Sequence, residues 1–243
     1  TDQWLDFDRD HIWHPYASMI DPPPMTPVVG ADGVRLRLAD GRELIDGMAS
    51  WWCAIHGYNN PVLNDAIKHQ THEMAHVMFG GITHPAAVDL SRLLVDITPD
   101  SLQKVFLADS GSVSMEVAVK MALQYWHAQG AKTKTHLLAL RNGYHGDTFG
   151  AMAICDPVNG MHHLFRDLLP QHFFAPQPRT PFGQPLQDDD TAELEKTLAQ
   201  HADSIAAVVL EPVVQGAGGM WFYSPDYLKQ VRELCDRHDV LLI

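Results

Sequence analysis

The sequence predicts an α/β fold in which a mostly parallel sheet is covered by helices. Two observations support this. Short apolar segments of strand length alternate with longer segments of helical periodicity through the second half of the chain. These short segments are almost continuously apolar, which is typical of parallel strands buried on both faces. The chain has 243 residues, enough to build one large hydrophobic core.

The N-terminal part of the chain has a different pattern. Residues 27–47 alternate apolar and polar side chains around two Asp-Gly turns, which predicts a small antiparallel meander. Apolar residues then recur at helical spacing, which predicts one helix over residues 60–78 and a second over 85–97.

The alternation of strands and helices begins near residue 105. We expect strands at 105–108, 136–140, 206–210 and 240–243, and helices at 112–126 and 225–237. The Pro- and Gly-rich segment 177–190 is predicted to be a surface loop. Ligands of open parallel sheets bind where strands end, so the candidate site segments are 108–112, 141–147 and 211–219.

Charge and cysteine content exclude several classes of protein. The net charge of -13 would repel a phosphate backbone, so no nucleic-acid partner is expected. Three scattered cysteines encode neither a disulfide framework nor a zinc knuckle. No apolar run approaches the ~18 residues that span a bilayer, so no membrane partner is expected either. We expect a soluble, cytoplasmic protein.

The segment Ser110-Gly111-Ser112 lies between a predicted strand and a predicted helix. The free N–H groups of a first helical turn could hold a phosphate here, with Gly111 allowing close approach and Ser112 adding a hydroxyl. A Ser-rich helix cap gives the same pattern. The segment matches neither the dinucleotide fingerprint nor the P-loop.

Other candidates have equally ordinary alternatives. Tyr144 lies in a Gly-rich loop and could stack on a flat ring or simply pack that loop. Glu211 ends an apolar strand and could either face a ligand or cap its own loop. Tyr16, Trp51 and Trp52 offer flat apolar surfaces for a substrate pocket, although isolated aromatic residues more often belong to a core or an interface.

The segment His72-Glu73-Met74-Ala75-His76 matches the H-E-x-x-H pattern of zinc proteases. On a helix, this spacing brings two imidazoles together, with a Glu as general base. The two histidines lie opposite the apolar stripe of the predicted helix, and no third ligand follows at metzincin spacing. A zinc-dependent hydrolase using His72, Glu73 and His76 is therefore an alternative, and a solvated helix face is favoured; no metal site is expected.

Taken together, these segments resemble the class-III, fold-type I pyridoxal-phosphate-dependent aminotransferases. The resemblance covers nearly the whole chain and is carried by residues 11–16, 46–52, 56–59, 76–84, 106–112, 141–150 and 211–219. It implies an aspartate-aminotransferase-like fold. Residues 1–47 would be the N-terminal segment of a small domain, and 48–243 a large cofactor domain that is incomplete at its C-terminal end.

The resemblance also implies a role for each candidate residue. Gly111 and Ser112 would hold the phosphate of pyridoxal 5'-phosphate, and Tyr144 would lie against its ring. Three further residues would orient the ring and its partners from behind: His145, Asp147 and Glu211. The substrate pocket would be shaped by a set of aromatic residues: Tyr16, Trp51, Trp52 and Tyr144.

The biotin-biosynthesis branch of this family has the closest motifs, which implies a reaction. S-adenosylmethionine would give its amino group to the cofactor, which would pass it to 8-amino-7-oxononanoate; lysine stays open as an alternative donor. A homodimer is implied as well.

In the family, the lysine that forms a Schiff base with the cofactor follows the strand that begins here at Val240. We therefore expect it beyond Ile243, with no catalytic residue in this chain, because none of the seven lysines present substitutes convincingly and Lys134, for one, lies in a polar surface context. The apolar end of the chain also suggests a fragment. We expect these 243 residues alone to be inactive; a non-catalytic, aminotransferase-like fragment is a further alternative.

Overall fold

The computed structural model describes residues 2–158 and 163–243, apart from the side chains of Asp2, His163 and Arg166. The chain folds into two compact units, one ending at Ile97 and the other spanning Thr98–Ile243. The predicted domain boundary after residue 47 stays a prediction. Among the described residues, no helix is both long enough and apolar enough to cross a membrane.

The first unit contains the predicted meander and three helices. Its elements are α1 (Asp2–His11), β1 (Val28–Asp32), β2 (Arg35–Leu38), β3 (Glu43–Ile45), α2 (Pro61–Glu73) and α3 (Pro85–Ile97). The three strands pair antiparallel in the order β1-β2-β3, which confirms the meander. Gly33 adopts a φ of 52° in the turn between β1 and β2, a conformation that glycine reaches without steric conflict.

Helix α2 is shorter than the sequence pattern predicts. Asn60 caps its start by accepting the N–H groups of Val62 and Leu63 on its side-chain oxygen. The helix ends at Glu73, because Met74 turns to extended backbone with φ -169°. The predicted continuation to residue 78 is therefore wrong.

The second unit alternates helices and strands. It contains α4 (Gly111–Ala128), β4 (His136–Leu140), α5 (Phe149–Ala153), a 3-10 helix (His163–Leu168), β5 (Phe173–Ala175), α6 (Ala192–His201), β6 (Ile205–Val209), β7 (Val214–Gln215), β8 (Trp221–Phe222), α7 (Pro225–Arg237) and β9 (Leu241–Leu242). Strands β5, β4, β6 and β9 are neighbours in that order and all parallel, as the sequence predicts.

Alternating residues of β4 build a core on each face of this sheet. Leu138 and Leu140 pack with buried residues of α6 and α7, whereas Leu137 and Ala139 pack with Ala122 and other residues of α4. Both faces are covered by helices, so the carboxyl ends of the strands are left to carry the loops of a site.

The predicted strand at 105–108 is wrong. No strand ladder among the described residues includes this segment, and Phe106 and Leu107 are exposed. An apolar run becomes a strand only where a neighbouring strand satisfies its backbone groups. The predicted loop at 177–190 is irregular, but both ends are anchored, because the buried Asp190 accepts the N–H groups of Arg179 and Thr180.

Lys134 is buried, contrary to the surface position that its polar neighbours indicate. Its ammonium donates to the carbonyl oxygens of Ala202 at 2.9 Å and Asp239 at 2.6 Å, and more weakly to that of Ile205. It also lies 4.2 Å from the ring centroid of Trp126. Burial lowers the pKa of Lys134. Lys134 thus connects segments that are far apart in the sequence.

Candidate functional site

The start of α4 forms one side of the candidate site. Ser110 precedes the helix in extended conformation, and its hydroxyl accepts the N–H of Val113 at 3.2 Å. The helix begins at Gly111, where an added Cβ would meet no atom within 4 Å. The first turn is thus capped by Ser110 while the space beside Gly111 stays open.

The loop after β4 packs directly on this helix start. The N–H of Asp147 donates to the Ser112 hydroxyl at 3.0 Å. Gly146 adopts a φ of 128°, and a Cβ placed there would lie 2.8 Å from the Ser112 Cα. Only glycine fits both the conformation and the contact. The structure therefore brings together two segments that the sequence singles out independently.

Glu211 connects this loop to the third predicted segment. Its Oε1 accepts the N–H of Tyr144 at 3.0 Å, and its Oε2 accepts the N–H of Gly216 at 2.9 Å. The Tyr144 hydroxyl donates to Oδ2 of Asp147 at 3.1 Å. One carboxylate thus fixes the backbone beneath the Tyr144 ring and the loop after β6 at the same time.

The surroundings of Glu211 disfavour its charge. Burial raises the pKa of Glu211 above its usual value, and the N–H groups of Tyr144 and Gly216 only partly oppose this effect. Behind it, the buried Tyr223 donates its hydroxyl to the Glu211 carbonyl oxygen. Burial raises the pKa of Tyr223 to about 12, so the phenol stays a donor at neutral pH.

The loop after β4 also contains a buried, neutral histidine, whose backbone contacts a neutral thiol. His145 is 8% exposed, and its Nε2 has no hydrogen-bond partner among the described residues. Burial lowers the pKa of His145 to about 4. Its backbone N–H contacts the Cys155 sulfur at 3.2 Å, and burial raises the pKa of that thiol to about 11.

Four polar residues that the sequence analysis missed connect the same loops. The Gln215 amide donates to the Arg141 carbonyl at 2.9 Å and accepts from Gln177 at 2.7 Å. Asn142 donates its side-chain amide to Gln177, and its backbone N–H to the buried Asp156 at 2.6 Å. Only Asn142 carries a signal in the sequence, since Asn-Gly marks a turn and its φ is 60°.

Three of the four aromatic candidates, Tyr16, Trp51 and Trp52, lie in the first unit, whereas Tyr144 lies in the second. The rings of Tyr16 and Trp51 contact edge to face, with centroids 6.2 Å apart and an interplanar angle of 72°. Both rings are exposed, at 72% and 61%, and so is Trp52. The predicted site residues thus form two groups, an aromatic pair with its neighbour in one unit and a set of loops around Ser112 and Glu211 in the other.

The structure gives no support to the zinc alternative. His72 and Glu73 end α2, whereas His76 lies beyond the helix, so the two imidazoles do not share a helical face. Within the described ranges, no group of three His, Cys, Asp or Glu side chains is arranged to hold a metal ion.

Sequence comparison identifies relatives of this chain. Residues 16–243 match the family model described as Aminotransferase class-III. The chain is 53% identical over 239 residues to an adenosylmethionine-8-amino-7-oxononanoate aminotransferase from Buchnera aphidicola subsp. Baizongia pistaciae, covering 98% of this chain and 56% of that protein. The protein of the same name from Saccharomyces cerevisiae is 48% identical over 254 residues, covering 98% and 53%. The chain spans about half the length of the curated relatives it matches.

Comparison with solved structures gives the same family. A crystal structure of adenosylmethionine-8-amino-7-oxononanoate aminotransferase from Methanocaldococcus jannaschii superposes with a TM-score of 0.90 at 30% identity, covering 98% of this chain and 53% of that one. A PLP-bound amine transaminase from an uncultivated Pseudomonas species gives 0.82 at 33% identity, covering 96% and 55%. The predicted fold class is confirmed, and the chain belongs to the class-III aminotransferase family.

Proposed function

We propose that this chain provides the phosphate- and ring-binding part of a pyridoxal-phosphate-dependent aminotransferase of biotin biosynthesis. The reaction transfers the amino group of S-adenosylmethionine to 8-amino-7-oxononanoate and gives 7,8-diaminononanoate, in agreement with the names of the relatives at 48% and 53% identity. One observation carries the proposal most directly: the start of α4 and the loop with Tyr144 meet at Ser112.

The chemistry of these loops fits the cofactor. The open space beside Gly111 leaves room for a phosphate at the positive end of an 18-residue helix. The Ser112 hydroxyl already accepts from Asp147, which leaves its own proton free to point to a phosphate oxygen. Tyr144 is half-buried on a backbone fixed by Glu211, so its ring can serve as a flat surface for the pyridine.

The residues of this chain would hold the cofactor and orient its ring. Gly111 and Ser112 would bind the phosphate, and Tyr144 would support the ring. Glu211 positions Tyr144, while His145 of the same loop is buried and neutral, with an Nε2 that has no hydrogen-bond partner among the described residues. Asp147 holds the Tyr144 hydroxyl. When bound there, pyridoxal phosphate would supply the electron sink for the amino transfer.

The aromatic group of the first unit is proposed for the substrates. Tyr16 and Trp51 present an edge-to-face pair that suits the flat adenine and apolar chain of the two substrates, and Trp52 extends this surface. We further propose that the protein works in the cytoplasm as a homodimer. The many exposed apolar side chains of the first unit, such as Ile67 and Met78, support an interface. Analytical ultracentrifugation at micromolar concentration tests the dimer; a monomer under those conditions contradicts it.

A binding experiment tests the cofactor site separately from turnover. Equilibrium dialysis with pyridoxamine phosphate avoids reaction of an aldehyde with surface lysines. Ser112→Ala is expected to weaken binding about tenfold, because a hydrogen bond to a charged group is lost. Ser114→Ala is the matched control, because the Ser114 hydroxyl donates to the carbonyl oxygen of Ser110, one turn earlier in the chain. Equal affinities of the two variants, or equal binding of unphosphorylated pyridoxamine, contradict the assignment.

An activity experiment tests the reaction. The full protein that contains this chain is incubated with pyridoxal phosphate, 8-amino-7-oxononanoate and either S-adenosylmethionine or lysine, and the diamine product is measured by mass spectrometry. We expect product with S-adenosylmethionine and little with lysine. If product forms only with lysine, lysine is the amino donor. If no product forms with either donor, the proposed reaction is contradicted.

A further inference from the structure

The turn that carries the two tryptophans has an unusual backbone. Four consecutive residues without a glycine, Ala49 to Trp52, all adopt left-handed conformations, with φ of 47°, 46°, 53° and 77°. L-residues disfavour this region because Cβ approaches the following carbonyl oxygen, and they normally enter it singly. Such a run persists only where neighbouring groups fix it.

Asp46 supplies this constraint. Its Oδ1 accepts the N–H of Met48 at 2.9 Å, and its Oδ2 accepts the N–H of Ser50 at 2.9 Å. The Tyr58 hydroxyl donates to the same Oδ2 and also contacts the Ser50 hydroxyl. The carboxylate therefore binds both the entry and the middle of the left-handed turn.

Both partners of this contact are attached to the meander. The backbone of Tyr58 exchanges two hydrogen bonds with Gly33, at 3.1 and 2.6 Å, and the N–H of Asp46 donates to the Val34 carbonyl at 2.9 Å. Gly57 is packed so closely that an added Cβ would lie 2.9 Å from the Gly33 carbonyl oxygen. The β1–β2 turn thus serves as a base for the Asp46–Tyr58 pair.

We propose that Asp46, together with Tyr58, is a positioning residue that holds Trp51 in the left-handed turn and thereby sets its contact with Tyr16. The effect of this arrangement on substrate binding rests on the proposed function, in which Tyr16 and Trp51 shape the substrate pocket. The arrangement itself rests only on the contacts within the first unit.

Hydrogen exchange of the Ala54 amide tests the arrangement. This amide donates to the Ala49 carbonyl across the turn at 2.9 Å. Asp46→Ala is expected to speed its exchange at least tenfold. Adding Ala49→Gly should restore part of the protection, because glycine enters the left-handed region without a Cβ clash. Asp40→Ala is the matched control: Asp40 also accepts a backbone N–H in a turn of this unit, from Arg42 at 3.0 Å, and its loss should leave Ala54 unchanged.

Two results overturn the proposal: unchanged Ala54 exchange in Asp46→Ala, or a double variant that exchanges as fast as Asp46→Ala. Should Asp46→Ala fail to fold, Tyr58→Phe removes only the hydroxyl and is expected to speed exchange of the Ala54 amide about threefold. Unchanged exchange in Tyr58→Phe also contradicts the proposal.

Kinetics of the full protein then separate the two proposals. Asp46→Ala is expected to raise the KM for 8-amino-7-oxononanoate about tenfold while kcat changes less than threefold, with partial recovery in the Ala49→Gly double variant. If Asp46→Ala speeds the exchange of the Ala54 amide but leaves KM unchanged, Asp46 holds the turn, and the assignment of the substrate pocket to Tyr16 and Trp51 is wrong. If exchange itself does not respond, the positioning role fails whatever the kinetics.

Discussion

The two units hold their candidate site residues by different means. In the described part of the first unit, Leu38 and Ala87 are the only buried hydrophobic residues, whereas the second unit has a buried cluster on each face of its sheet. Loops around Ser112 therefore rest on a packed core, while the tryptophan turn rests on polar contacts to a small meander. The two parts should respond differently to substitution and to pH.

Two carboxylates show the same contrast. Glu211 and Asp46 each accept two backbone N–H groups, yet their pKa values shift in opposite directions. Burial raises the pKa of Glu211, whereas the hydrogen bond from Tyr58 lowers that of the half-buried Asp46. Similar hydrogen-bonding patterns thus have opposite electrostatic outcomes, because burial outweighs the hydrogen bonds at Glu211 and the hydrogen bonds outweigh burial at Asp46.

The largest difference is expected from a core substitution in the second unit. Leu198 of α6 is fully buried, so Leu198→Ala should lower the free energy of unfolding by about 2–5 kcal/mol. Urea unfolding followed by circular dichroism measures this. A loss below about 1 kcal/mol would mean that the second unit is not packed around this sheet face.

Acid should weaken the second unit through its buried histidine. The folded-state pKa of His145 is about 4, below its usual 6.5, so the unfolded chain binds the proton first. Stability is therefore fully present above pH 6.5 and falls as the pH drops toward 4, by up to about 3 kcal/mol for this residue.

Unfolding free energies measured between pH 7 and pH 4 check this. His145→Gln should flatten the pH dependence, whereas His69→Gln, on the exposed face of α2 in the first unit, should leave the slope as it is. Equal slopes for the two variants contradict the assignment.

A smaller loss of stability is expected at Gly146, where the loop after β4 contacts the start of α4. Gly146→Ala combines an unfavourable φ with contact to Ser112 and should cost about 2 kcal/mol, with weaker pyridoxamine phosphate binding. Gly183→Ala has a similarly positive φ of 80° but open space, so it should cost about 1 kcal/mol and leave binding unchanged. Thermal unfolding and equilibrium dialysis compare the pair; equal losses argue against close packing.

The smallest effect is expected on the apolar stripe of α2. Ile67 is 62% exposed, so Ile67→Ser should change the free energy of unfolding by less than about 0.5 kcal/mol. If this face forms the proposed homodimer interface, the same variant weakens the dimer in ultracentrifugation without changing unfolding of the monomer. A large loss of monomer stability would mean that the first unit packs this stripe internally.

Much of the second unit could be predicted because its signals are local. The apolar run at 136–140 and the amphipathic segment at 225–237 match β4 and α7. The run at 105–108 is similarly apolar but forms no strand, since strand formation depends on a distant neighbour that local periodicity does not contain. Helices α4 and α7 and strands β4, β6 and β9 could be predicted from local pattern, whereas the partner strand that the 105–108 segment lacks could not.

The candidate site shows the same limit. The sequence predicts which segments follow strands, and hydrogen bonds join these segments: Glu211 accepts the N–H of Tyr144, and Ser112 accepts that of Asp147 in the same loop. It does not predict Asp156 or Gln215, because a buried polar residue looks like any surface residue until its partners are known. The sequence also gives no signal for the end of α2, since the helix ends before Met74 without glycine or proline.

Lys134 has a practical consequence for chemical footprinting. Its amine is enclosed by three carbonyl oxygens and the face of Trp126, while the other six lysines are exposed. An acylating reagent should therefore label those six quickly and spare Lys134 as long as α4, the α6–β6 connection and the segment before β9 stay together. The labelled fraction at this one position becomes a reporter of global opening of the second unit, readable by mass spectrometry in a crude extract and without any knowledge of activity.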